Sequence, residues 1–244
     1  VHEDLNSSIW FEKRVKSPAS LAGNVVILMT DASLRVTEIF YSVQGEARTI
    51  GLPTVFVRLT GCPLRCNYCD SEYAFFGGER FSLSNIVAAV EKFKPTYVCV
   101  TGGEPLAQPN CLALLSVLCD QGYQVSLETS GALDIGDVDC RVSIVMDLKA
   151  PSSGEVSKNR YSNIALLKAK DQIKFVLGNR EDYEWASFKI DEFELTRKVG
   201  DIIFSPIFDR LAPRELAEWI LQDRLSVRFQ IQLHKFLWGD KPGV

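Results

Sequence analysis

The sequence predicts an α/β fold with a mainly parallel sheet and helices packed outside it. Short runs rich in Val, Ile and Phe alternate with amphipathic stretches from residue 35 onward, the pattern of strand–helix–strand crossovers. Polar or glycine-containing segments recur where those strands end: Gln44-Gly45, Gly102-Gly103-Glu104, Glu128-Thr129, Asp147 to Lys149, Ser205-Pro206 and His234. Sheets of this class carry their sites at C-terminal strand ends, so the chemistry is expected on one rim. A chain of 244 residues that is 46% hydrophobic can also build one large core.

Val36 to Val43 is β-rich and runs into the turn-like Gln44-Gly45-Glu46-Ala47. Thr54 to Thr60 alternates as a strand and delivers Arg58-Leu-Thr-Gly-Cys62-Pro-Leu-Arg-Cys66-Asn-Tyr-Cys69-Asp70. Ile86, Val87, Val90 and Phe93 form a helical stripe within 84–94. Tyr97 to Thr101 reads as a buried strand. Residues 106–121 read as a helix stopped by Gly122, with Leu112, Leu115 and Leu118 inward. Strands follow at 123–129 and 143–148, a loop at Pro151 to Gly154, a short helix at 160–169 and a strand at 171–177. The pattern continues with a helix at 180–190, a strand at 200–205 and a helix from Pro213 to Gln222, opened by proline in its first turn. Ser226 to Leu233 is expected as the last strand, leading into His234-Lys-Phe-Leu-Trp238.

Residues 35–244 form one domain in this reading. Residues 1–34 are set apart as an extension that is partly disordered or not native. A short apolar run lies at 24–29, and Met29 is an alternative start. Lys and Arg number 27 against 31 Asp and Glu, so no global basic field points to nucleic acid or membranes. No apolar run reaches membrane-spanning length and no signal peptide is evident. Three of the seven cysteines crowd into one loop. Cys99, Cys111, Cys119 and Cys140 are scattered in apolar surroundings and read as core packing, which suits a reducing cytoplasm. Lys13 to Lys16 and Glu181 to Glu184 read as solvated surface.

The crowded cysteines have the spacing C-x3-C-x2-C. Thiolates are soft ligands for zinc or iron–sulfur clusters. Structural zinc closes four ligands, usually in paired knuckles, and no second knuckle is present. A [4Fe–4S] cluster on three thiolates leaves one iron open to a small molecule. Three buried free thiols are the bland alternative.

Tyr68 just before the last cysteine, together with Gly102-Gly103-Glu104-Pro105, resembles the cysteine and GGEP motifs of the radical S-adenosylmethionine superfamily. Gln44-Gly45-Glu46, Arg58, Cys69-Asp70-Ser71 and His234-Lys235-Phe236-Leu237, in that order, narrow the resemblance to the 7-carboxy-7-deazaguanine synthase family, over roughly residue 35 to the C-terminus. The resemblance implies an incomplete (β/α) barrel of the TIM-like kind. It also implies a lyase that makes 7-carboxy-7-deazaguanine from 6-carboxy-5,6,7,8-tetrahydropterin, by ring contraction with loss of ammonia, on the route to queuosine. The radical, formed by reductive cleavage of S-adenosylmethionine, takes hydrogen from the pterin.

By the same resemblance Cys62, Cys66 and Cys69 hold the [4Fe–4S] cluster and Ser71 binds Mg2+. Tyr68, Cys69, Asp70, Gly103, Glu104, Asp147, Leu148 and Lys149 line the S-adenosylmethionine site. Val43, Gln44, Gly45, Arg58, Thr101 and His234 touch the substrate. No acid–base catalyst is implied. A flavodoxin-like or other reductant and a homodimer are implied as partners. Some positions differ from the family pattern: Ala47 stands where Gly is usual, Ser71 where Thr is common, and Asp147-Leu148 where Ser-Pro is common. Two other readings are a glycyl-radical-enzyme activating enzyme, which shares the cysteine loop and an Asp-x-Lys strand end, and a metal-binding module without catalysis. The Gln44-Gly45-Glu46 and His234-Lys235 motifs argue against the first, and the GGEP turn with its many polar strand ends against the second.

Overall fold

The computed structural model describes residues 32–239 together with Lys241 and Gly243. The expected strand at 24–29, the Met29 start and most of the proposed extension lie outside these residues. Among the described residues nine strands form one sheet: β1 (Ser33–Val43), β2 (Pro53–Leu59), β3 (Glu79–Ser82), β4 (Tyr97–Gly102), β5 (Gln124–Thr129), β6 (Ser143–Asp147), β7 (Gln172–Leu177), β8 (Asp201–Pro206) and β9 (Arg228–Phe229). Their order is β3-β1-β2-β4-β5-β6-β7-β8-β9. From β2 to β9 each neighbouring pair is parallel, so the incomplete barrel is observed. Val98, Cys99 and Val100 in β4 are all fully buried, because a parallel strand covered on both faces has no solvent side.

The expectation of a single functional rim needs correction. β1 pairs antiparallel with β2, Val43 lying opposite Pro53. The end of β1 therefore meets the start of β2, at the end of the barrel away from the cysteine loop. Gln44 to Glu46 form a floor rather than part of the rim. From there the loop runs beneath the strand starts, where the Arg48 amide donates to Gln172 (2.6 Å) and its guanidinium pairs with Asp201 (2.6 Å).

The same loop closes the gap between β1 and β9. The Ala47 amide donates to Gln230 Oε1 (2.7 Å), Gln230 Nε2 donates back to the Ala47 carbonyl (2.9 Å), and the Leu233 amide donates to the Gly45 carbonyl (3.0 Å). Ala47 has φ 64°, the left-handed region that costs a non-glycine residue roughly 1–2 kcal/mol. That explains why glycine suits the position, and the two hydrogen bonds with Gln230 hold alanine there.

Several expected elements differ. The helix predicted over 106–121 divides into a 3-10 turn at Pro105–Ala107 and an α-helix at Cys111–Asp120, because Pro109 lacks an N–H and steers the residue before it away from helix. Leu114 joins Leu115 and Leu118 in its buried face, and Leu112 is only partly buried. Tyr161–Leu166 is a 3-10 helix rather than an α-helix, where Asn163 donates from Nδ2 to the Gly131 and Leu133 carbonyls. The last strand shrinks to two residues, and His234 lies in a helix, Leu233–Trp238. β3, an edge strand of sequence Glu-Arg-Phe-Ser, offers no clear apolar alternation and was not expected.

Two surface and core assignments also change. Cys140 is exposed, whereas Cys99 and Cys111 are buried as core. Asp182 is fully buried and accepts from the Ser152 (2.8 Å) and Gly178 (2.7 Å) amides, so the 181–184 segment is not wholly solvated surface.

Candidate active site

A cavity of about 670 Å³ fills the barrel between the floor and the C-terminal strand ends. β2 delivers the cysteine loop to its wall. The Asn67 amide donates to the Ser153 carbonyl (3.0 Å), the Arg65 amide to Glu155 (2.6 Å) and the Arg65 guanidinium to the Cys62 carbonyl (2.8 Å). Cys62, Cys66 and Cys69 are free, partly buried and face the cavity. Burial pushes the Cys62 thiol up and the Cys66 thiol up to about 11; near Cys66 the Lys149 charge opposes this and Asp147 adds to it. Three thiols on one loop at the cavity wall suit a cluster in which each thiolate takes its own iron. Structural zinc closes four protein ligands, one more than this loop supplies.

The two glycines of the GGEP turn serve this loop. A Cβ on Gly103 falls 2.3 Å from the Gly61 carbonyl oxygen and 2.7 Å from Cys62 Cβ. One on Gly102, with φ 151°, falls 2.2 Å from the Leu59 carbonyl oxygen. Without side chains the turn docks tightly enough for the Glu104 amide to donate to Gly61 (2.8 Å) and the Gly103 amide to Leu59 (3.1 Å). Glu104 itself is fully buried and does not line the cavity. Its carboxylate accepts from the Leu106 amide (3.0 Å), the Ser130 amide (2.7 Å), Thr129 Oγ1 (2.9 and 3.0 Å) and Ser130 Oγ (2.5 Å). It braces the end of β4 to the end of β5. Leu148 is likewise fully buried in the core rather than on the cavity wall.

The other expected residues converge on the cavity: Tyr68, Asp70, Ser71, Gly103, Asp147 and Lys149 near the cysteines, and Val43, Gln44, Gly45, Arg58, Thr101 and His234 deeper in or across it. Ser71 Oγ lies 3.8 Å from Cys69 Sγ. Lys149 Nζ donates to Asp147 Oδ2 at 2.9 Å, while Asp147 Oδ1 is buried with no hydrogen-bond partner among the described residues. Burial works against the Lys149 ammonium, yet Asp147 and its neighbours hold its pKa above the ordinary lysine value. Arg58 gives its Nε to Glu38 (2.7 Å), which also accepts from the Tyr73 hydroxyl (2.8 Å), and its guanidinium stacks near the Phe40 and Tyr73 rings. Thr101 Oγ1 donates to Glu128 Oε2 at 3.0 Å, and Gln44 Nε2 reaches Glu128 Oε1 at 3.4 Å. A Cβ on Gly45 falls 2.1 Å from His234 Nδ1. The imidazole packs on the bare backbone there.

Sequence reasoning missed Glu128, Lys174 and Gln232 as cavity residues. Glu128 is legible in the sequence only as a polar strand end. The signal for Lys174 was a lone lysine in the otherwise apolar strand Gln-Ile-Lys-Phe-Val-Leu, since an inward charge within a barrel strand is costly without partners.

The Radical SAM superfamily model matches residues 56–142, from β2 to just before β6. The 7-carboxy-7-deazaguanine synthase of Chlorobaculum tepidum is 45% identical over 221 residues, 89% of this chain and 100% of that protein. The one from Koribacter versatilis is 42% identical over 219 residues, covering 84% and 97%. QueE from Escherichia coli shares the fold, with a TM-score of 0.66 at 23% identity over 86% of this chain and 98% of that one. The superfamily match spans the cysteine loop and the GGEP turn, while the likeness to the two synthases covers 84–89% of the chain. On that full-length similarity, this chain belongs to the 7-carboxy-7-deazaguanine synthase family of the radical S-adenosylmethionine superfamily.

Proposed function

We propose that this chain converts 6-carboxy-5,6,7,8-tetrahydropterin to 7-carboxy-7-deazaguanine, with ring contraction and release of ammonia, in the biosynthesis of queuosine. The carrying observation is the contact of His234 with Gly45 at the closed seam. The cysteine loop and GGEP turn belong to the whole superfamily. The seam contact completes a cavity sized for a small molecule, where an activase for a protein substrate needs an open groove.

When bound, a [4Fe–4S] cluster with S-adenosylmethionine supplies the radical that takes a hydrogen atom from the substrate. Cys62, Cys66 and Cys69 hold the cluster. Tyr68, Asp70, Gly103, Asp147 and Lys149 receive S-adenosylmethionine, and the unpartnered Asp147 Oδ1 supplies an acceptor for one of its donors. Arg58, with Nε spent on Glu38, keeps its terminal nitrogens for the substrate carboxylate, which a guanidinium grips bidentately. Val43, Gln44, Gly45, Thr101 and His234 complete the substrate wall. Ser71, beside Cys69 on the cavity surface, would hold Mg2+ in this reading, and the ion would supply positive charge to offset a carboxylate substrate. The reading includes a homodimer, a cytoplasmic setting and a flavodoxin-like or comparable reductant. Among the described residues no helix is long and apolar enough to cross a membrane.

The test is anaerobic loading with iron and sulfide, followed by reductant and S-adenosylmethionine with and without the carboxypterin. Product mass and released ammonia are measured with Mg2+ present and after its removal. Pterin-dependent formation of 7-carboxy-7-deazaguanine is expected, falling when Mg2+ is withdrawn. Failure to assemble a four-iron cluster ends the reading, and a cluster without pterin turnover removes the substrate from it.

A further inference from the structure

A buried chain of alternating charge crosses the cavity. Glu46, on the floor, accepts from Lys174 Nζ through Oε2 and from Gln232 Nε2 through Oε1 (2.8 Å). Lys174, on β7, lies 3.9 Å from Asp147 Oδ2, and Asp147 pairs with Lys149. The second contact of Gln232 Nε2 is Asp70 Oδ2, 3.2 Å away, beside the cluster ligand Cys69. With carboxylates on both sides only the amide nitrogen of Gln232 can face them, so its orientation is fixed.

We propose that Lys174 is a positioning residue which, with Gln232, fixes the Glu46 carboxylate on the cavity floor to accept hydrogen bonds from the N–H edge of the substrate's aminopyrimidinone ring. The inference rests on the functional reading above. Each carboxylate oxygen has two acceptor directions, so the bonds to Lys174 and Gln232 leave one on each oxygen for a ligand. An N–H and an adjacent amino group on one ring edge match that pair of acceptors. Burial alone would raise the Glu46 pKa, but the charges of Lys174 and His234 and the two hydrogen bonds bring it below the ordinary carboxylate value. The charged groups facing this pair come from every side: His234 from the last helix, Asp147 from β6 and Glu128 from β5, with Asp70 reached through Gln232. Lys174 thus neutralises a wall that is otherwise rich in carboxylates. Neither Lys174 nor Gln232 belongs to the cysteine, GGEP or Gln-Gly motifs.

The experiment measures substrate affinity by calorimetry on the loaded, unreduced enzyme with S-adenosylmethionine, where no turnover occurs, and the thermal midpoint beside it. Glu46→Gln is expected to weaken binding by about ten- to a hundredfold, the worth of a charge-assisted hydrogen bond. Lys174→Met strands a buried carboxylate and is expected to lower the midpoint. The double variant Lys174→Met with Glu46→Gln removes both charges, so its midpoint is expected near that of wild type and its affinity near that of Glu46→Gln alone. Wild-type affinity in Glu46→Gln overturns the inference. So does an additive loss in the double variant, which would make Lys174 a direct contact, or recovery of wild-type affinity there, which would make the pair structural only. Failure of the wild-type enzyme to bind the carboxypterin removes the functional reading itself.

Discussion

Replacing Glu104 separates a brace from a cofactor contact. Both oxygens of its carboxylate accept from backbone amides: Oε1 from Leu106 at 3.0 Å and Oε2 from Ser130 at 2.7 Å. Thr129 and Ser130 add hydroxyl bonds. Glu104→Ala leaves two buried N–H groups without acceptors, at about 2 kcal/mol each, for a loss of about 4 kcal/mol. Glu104→Gln looks conservative but is not. Whichever way the amide is turned, its NH2 meets one of the two N–H groups, so about 2 kcal/mol is lost. For a chain of this length 1 kcal/mol moves the thermal midpoint by about 2–4 °C, giving falls of about 8–16 °C and about 4–8 °C. Thermal unfolding of the metal-free proteins, followed by circular dichroism under anaerobic conditions, reads both. A midpoint change under about 2 °C in Glu104→Ala, with S-adenosylmethionine binding abolished in the loaded form, would refute the bracing role and return Glu104 to the cofactor site.

Three further outcomes are expected. Gly103→Ala sets a methyl against the Gly61 carbonyl, a backbone atom with little room to yield, so stability falls by about 1–3 kcal/mol and iron bound per chain after reconstitution drops. Because the Cys66 thiol is held at about 11 against an ordinary 9.0, the folded, metal-free protein keeps its proton longer than the unfolded chain. That contribution is intact below pH 9 and is lost as pH climbs through about 11, seen as a falling urea midpoint; cluster loading, which needs thiolates, releases protons and weakens in acid. Glu38→Gln loosens the grip on Arg58 and is expected to raise the substrate Kd several-fold with little change in midpoint, whereas Arg58→Lys, losing the bidentate fork, raises it by about tenfold or more; calorimetry without reductant measures both.

The order of strands and helices was legible because most elements carry their own period, as in Val55, Val57 and Leu59 or Ile86 and Val90. The cysteine loop and the GGEP turn were legible because their spacing is chemical. What escaped was long-range. Nothing local reveals that β1 runs antiparallel to its neighbour, so Gln44 and Gly45 were placed on the rim with the cysteines instead of beneath them. The GGEP glycines are legible as a motif, but not that their bare backbones close on Gly61 and Cys62 of the same chain. Glu104 looked like a ligand contact because a carboxylate at a strand end is ambiguous until Thr129 and Ser130 are brought beside it. His234 was expected after a strand because Ser226 to Leu233 is apolar enough for one; pairing with β8 takes only Arg228 and Phe229.

The seam between Ala47 and Gln230 joins positions 183 residues apart. During synthesis all three cysteines leave the ribosome long before Gln230, Gln232 and His234 do, since chains emerge N-terminus first. Until Gln230 and Leu233 are made, the floor loop lacks the partners that its Ala47 and Gly45 backbone bonds to in the folded chain. The three cysteines are thus made early, and the residues that close the floor of the cavity follow well over a hundred residues later.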